Sequence, residues 1–103
     1  MKFGLENQDL ERICKIFNQF PDINSVILFG SRSMGNFKKG SDVDLALVGN
    51  INPSTLNRVK FLLNEEIPLP YFFDVVIYTE IESKELKNHI DHHGTTLYQK
   101  KAT

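Results

Sequence analysis

Apolar positions in this chain change spacing several times, and each change marks an element. Over residues 8–20, Leu10, Ile13, Phe17 and Phe20 recur at helical spacing, with Asn7 as N-cap candidate and Pro21-Asp22 as the stop. Residues 26–29, Val-Ile-Leu-Phe, form a continuous apolar run closed by Gly30, the pattern of a buried strand entering a tight turn. A polar stretch over 31–40 fits a loop with a short helix, and residues 42–48 then alternate. Val43, Leu45 and Leu47 are expected on one strand face, and Asp42, Asp44 and Ala46 on the other. Helical spacing returns over 53–66 through Leu56, Val59, Leu62 and Leu63, with Asn52 as cap and Pro53 at the first helical position. Residues 71–78 read as a strongly apolar strand holding one charge, Asp74. A last helix over 83–92, framed by Ser83 and Gly94, turns Leu86 and Ile90 inward. A short strand over 95–98 and a frayed tail over 99–103 complete the chain.

This order of elements predicts one two-layer α/β (α+β) domain over 1–103, a small mixed sheet with helices packed on it. The strands on either side of the 31–40 loop should be antiparallel. The helix over 53–66 is long enough for a crossover, so the strand of Asp74 can run parallel to that of Asp44. A hydrophobic content of 41% and a charged content of 24% are ordinary for a soluble globule. The net charge of −1 exerts no global pull on nucleic acid or membrane, so any affinity for phosphate has to be local and no direct nucleic-acid binding is expected. No apolar run approaches the ~18 residues of a membrane span, and the N-terminus is too polar for a signal peptide. The single Cys14 cannot form an internal disulfide, which fits a cytoplasmic setting. It lies beside the apolar stripe without a basic neighbour and reads as a buried structural thiol.

The candidate chemistry is concentrated between Val26 and Val48. Gly30 and Gly35 permit backbone conformations closed to other residues and a close approach to a ligand. Ser31 offers a hydroxyl, and backbone N–H groups beside it can face an anion where a short helix begins. Asp42 and Asp44, two apart on one strand face, are roughly 6–7 Å apart at the backbone and repel unless a cation lies between them. Hard oxygen donors filling part of a coordination shell suit Mg²⁺, which keeps several waters and borrows phosphate oxygens. Asp74 is costly to bury unpaired and is expected to supply a third carboxylate from the neighbouring strand. Arg32 follows Ser31 directly and its fork suits oxyanions, while Lys38 and Lys39 are expected to be solvated loop charges. His89, His92 and His93 near a helix end read as a solvated terminus rather than a metal site.

Gly-Ser, ten intervening residues and Asp-x-Asp, framed by two apolar strands, resemble the signature of the DNA polymerase β-type nucleotidyltransferases. The short chain resembles the minimal nucleotidyltransferases (MNT) of that superfamily, the antitoxin halves of pairs with a small helical HEPN protein. The resemblance implies a Mg²⁺-dependent transferase using two ions and ATP, with Asp42, Asp44 and Asp74 as catalytic and metal residues. It further implies that Gly30 and Ser31 cradle phosphates, with Arg32 and Ser41 as further nucleotide contacts. Ser33 and Met34 stand where the superfamily often has Ala then Arg, which leaves fewer charges for a triphosphate. The implied acceptor is a tyrosine hydroxyl of the HEPN-type partner, which would receive AMP. A non-catalytic module that silences its partner by contact, or a transferase acting on a small-molecule acceptor, are the alternatives. Homo- or hetero-oligomers are both open. Met34, Asn36 and Phe37, in the loop beside the site, are expected to be exposed and to contact the partner.

Overall fold

The structure, a computed structural model, describes residues 2–101. Ten elements follow one another: α1 (Asn7–Asn18), β1 (Ile23–Phe29), α2 (Ser31–Met34), β2 (Val43–Gly49), α3 (Pro53–Phe61), a π-helical turn (Leu62–Glu66), β3 (Phe73–Ile77), a 3₁₀ turn (Tyr78–Glu80), α4 (Lys84–His93) and β4 (Thr95–Gln99). The four strands form one sheet in the order β3-β2-β1-β4. β2 and β4 run antiparallel to β1, and β3 runs parallel to β2, as the connection lengths require. The fold is the mixed α/β architecture expected.

Strand alternation divides the sheet into two faces. Val26 and Leu28 of β1, Val43, Leu45 and Leu47 of β2, and Phe73, Val75 and Ile77 of β3 join Ile13, Ile16 and Phe17 of α1 and Val59, Leu62 and Leu63 in the main core. Phe29, Ala46 and Ile90 form a second, smaller cluster with Ile27, Val76 and Leu86 around it. Since Ala46 and Asp44 share a face of β2, α4 packs on the same side of the sheet as the carboxylates.

Several boundaries move. β1 begins at Ile23, three residues before the apolar run, because Ile23 is fully buried although Asn24 and Ser25 follow it. α1 starts at Asn7 with Glu6 at the N-cap position, so Asn7 is helical and not the cap. Asn52 and Ser83 do cap their helices, accepting from the backbone N–H groups of Thr55 and Leu86. Gly94 ends α4 in extended conformation, not left-handed, and a Cβ there would fall onto the Ile90 carbonyl. The expected tail is partly ordered: Gln99 is in β4, and Lys100 donates its backbone N–H to Asn24 O at 2.8 Å. Residues 102–103 lie outside the described residues. The Cys14 thiol is half-buried beside Leu97 O, and burial raises its pKa, in keeping with a structural thiol. Among the described residues no helix is long and apolar enough to cross a membrane.

Candidate active site

The site is built where β1 ends, β2 begins and β3 runs alongside. Asp44 of β2 is paired in register with Phe29 on one side and with Asp74 of β3 on the other. Register partners in a sheet point to the same face, so Asp44 and Asp74 stand side by side there. Asp42 sits one residue before β2 and is exposed, as is Asp74, whereas Asp44 is half-buried. Burial, then the negative charges of Asp74 and Asp42, push the Asp44 carboxyl up to about 6.

The side chains do not form a closed cage. Among the described residues, no three His, Cys, Asp or Glu side chains are grouped tightly enough to hold a metal ion as they stand. The sequence predicts a converged triad; the backbone brings the three aspartates to one corner, where their like charges oppose closer approach. The donor set itself fits a hard divalent cation: three carboxylates, all oxygen, two of them open to water.

Each carboxylate has its own support. The Asn64 carboxamide, in the π-helical turn, donates to Phe73 O at 3.0 Å and accepts from Phe73 N–H at 2.8 Å. That fixes the residue before Asp74 on an edge strand. Asp44 is held by strands on both sides. Asp42 is reached through Arg32. This guanidinium, only 3% exposed, donates Nε and Nη2 to Ser41 O (3.1 and 2.8 Å) and Nη1 to Phe3 O (2.8 Å), and lies over the rings of Phe37 and Tyr71.

These contacts bear on two of the expected nucleotide contacts. The Arg32 fork is buried on backbone carbonyls and ties the peptide just before Asp42 to the N-terminal turn. Ser41 is engaged in the same way, its carbonyl by Arg32 and its Oγ by the backbone N–H of Lys38 at 2.9 Å. Their role here is to hold the loop. Asn64 was not singled out by the sequence reading. An Asn between a leucine and a glutamate near a helix end carries no distinguishing pattern, and only the tertiary fold sets it against Phe73.

Gly30 does two things at the end of β1. Its backbone, at φ 79° and ψ −156°, lies in a region essentially reserved for glycine, and a Cβ there would fall onto Asp44 Oδ2. Its N–H, expected to face an anion, donates instead to His89 Nε2 of α4 at 3.0 Å. Ser31, half-buried, follows as the first residue of α2. The sequence places His89 beside a solvated helix end; in the structure it is half-buried against Phe29. In the loop, Met34 and Asn36 are exposed, whereas Phe37 is half-buried on Arg32.

The family model described as polymerase beta, nucleotidyltransferase matches residues 11–103. No curated protein matches the chain. Among solved structures, a toxin–antitoxin with AMP-PNP superposes at a TM-score of 0.72 with 22% identity, over 89% of this chain and 74% of that one. A complex of tri-AMPylated Shewanella oneidensis HEPN toxin with MNT antitoxin gives 0.68 and 19%, over 93% and 74%. The toxin–antitoxin MntA–HepT gives 0.67 and 18%, over 92% and 74%. At these identities the likeness is one of fold. The Gly30 turn, the Asp44–Asp74 pair on one sheet face and the match over residues 11–103 agree, and the chain belongs to the polymerase β nucleotidyltransferase family.

Proposed function

We propose that the protein is a Mg²⁺-dependent nucleotidyltransferase that moves AMP from ATP to a tyrosine hydroxyl of a HEPN-type partner and thereby acts as its antitoxin. The observation that carries this reading is the register of Asp44 against Asp74, with Asp42 two residues before Asp44, beside a glycine turn whose backbone comes up against the Asp44 carboxylate. Like charges concentrated on one sheet face are poor for folding and good for holding cations. The superposable structures with AMP-PNP and with AMPylated HEPN toxin support the nucleotide and the partner.

In this reading Asp42, Asp44 and Asp74 hold the Mg²⁺ ions, which supply charge neutralisation for the triphosphate and a more acidic acceptor hydroxyl. The chain's own residues do the rest. Gly30 and Ser31 form the turn beside Asp44 along which the phosphates would lie, Gly30 letting the backbone approach that carboxylate without a side chain between. Asp74, exposed on the edge strand, is within reach of an acceptor arriving from outside the sheet and is suited to take its hydroxyl proton. Exposed Met34 and Asn36 offer the partner a contact beside the site.

The deciding experiment incubates the chain with α-labelled ATP, Mg²⁺ and a purified HEPN-type partner. Label on a partner tyrosine, lost in Asp44→Asn, supports the reading. Neutralisation of the partner without label would favour a module that acts by contact, and label on a small molecule alone would redirect the acceptor.

A further inference from the structure

The histidine pair of α4 has no part in the carboxylate chemistry, yet one of its rings reaches the edge of the site. His89 Nε2 accepts the Gly30 N–H at 3.0 Å across 59 residues of sequence. Its ring meets Phe29 edge-on at 6.2 Å, and the His93 ring, one helical turn on, lies 5.4 Å away. A ring that accepts at Nε2 carries its proton on Nδ1 when neutral, so this contact selects one tautomer.

Gly30 is where that contact matters. The residue is in a conformation that other residues avoid, and its Cα faces Asp44 Oδ2 with no room for a Cβ. Its carbonyl is engaged on the other side, accepting from Met34 N–H and Ser33 Oγ at 3.2 and 3.1 Å. The peptide before Gly30 and the one after it are thus held by different elements, the first by α4 and the second by α2. Of these two holds, only the first comes from a side chain distant in sequence.

We propose that His89 is a positioning residue: its imidazole pins the Gly30 peptide, and through it holds the glycine turn in its place against Asp44, beside which a nucleotide phosphate would bind. That placement matters for nucleotide only if the transferase reading holds; the pin itself does not depend on it.

The test uses the full ¹⁵N-labelled chain and the variants His89→Ala and His89→Gln, since a glutamine carbonyl can reach the position of Nε2. Wild type should show a non-protonated Nε2 and a Gly30 amide proton shifted downfield. His89→Ala should move that proton upfield and speed its exchange about fivefold, the loss expected for one hydrogen bond of ordinary net strength. Mg·ATP affinity, by calorimetry, should fall by a similar factor of about five. His89→Gln should restore both. An unmoved Gly30 amide in a folded His89→Ala, or a protonated Nε2 in wild type, overturns the pin. A moved amide with unchanged Mg·ATP affinity overturns the positioning role. If His89→Ala does not fold, wild-type Nε2 and His89→Gln decide. A wild-type chain that binds no Mg·ATP defeats the transferase reading, and the role for nucleotide with it, whatever the Gly30 resonance shows of the pin.

Discussion

Asp44 and Asp74 are register partners across the parallel pair β2–β3, and no cation-bearing side chain separates them in that register. Burial and the charges of Asp74 and Asp42 raise the Asp44 carboxyl to about 6, against ~3.9 in an unfolded chain. Between those values the folded state binds the proton that the unfolded state has released. Metal-free stability should therefore fall as pH rises from about 4 to about 6 and stay lower above it. Asp44→Asn should flatten that slope and raise the melting temperature at neutral pH. Thermal melts across this range in chelator test it, and a large loss of stability in Asp44→Asn would mark the residue as structural.

Adding Mg²⁺ is expected to reverse the penalty. A cation that binds only the folded protein stabilises it by mass action, about 2.7 kcal/mol at a hundredfold excess over Kd. Wild type should melt higher with millimolar Mg²⁺, Asp74→Asn less so, and Asp44→Asn hardly at all. Transfer of labelled AMP should drop roughly a hundredfold or more in either variant, the scale of losing a charge-stabilising group in a transition state.

Gly30→Ala combines a disallowed backbone with a methyl group directed at Asp44 Oδ2. Strain of this kind is of order 1–3 kcal/mol. We expect a folded but less stable protein that has lost most of its nucleotide binding, measured by denaturant titration and calorimetry together.

Arg32 separates a structural from a phosphate-binding role. Its fork serves two carbonyls that converge from different segments, a geometry lysine cannot reproduce. Arg32→Lys should lower stability by about 1–3 kcal/mol, the range for hydrogen bonds from a charged donor. Transfer should weaken through misplacement of Asp42. Unchanged stability with a large rise in the KM for ATP would return Arg32 to the phosphates. Phe37→Ala should likewise destabilise, because the ring covers that guanidinium, so Met34→Asp is the cleaner probe of partner contact.

Most of the architecture was legible because it rests on local spacing. The alternation of β2, the Asn52 cap of α3 with Pro53 at its first position, and the Ser83 cap of α4 are each carried by neighbours in sequence, and each appears where the pattern predicts it. The placement of Asp44 and Asp74 on one sheet face was legible for a related reason: strand alternation and the parallel crossover between β2 and β3 fix it. What the sequence concealed depends on contacts between distant segments. Arg32 resembles a phosphate ligand until Ser41 and Phe3 carbonyls surround it, and His89 resembles a solvated helix end until α4 docks on β1. Ile23 lengthens β1 because it is buried in the main core, which its polar neighbours disguise.

The link between His89 and Gly30 also sets an order of assembly. The β1–β2 pairing closes a much shorter loop than the α4 contact, which spans 59 residues and is expected to form after the crossover through α3 and β3. A chain growing from its N-terminus would thus carry all three aspartates before the glycine turn beside them had its support. Competence would arrive late in maturation, as a property of the finished domain and not of the strands that bear the charges.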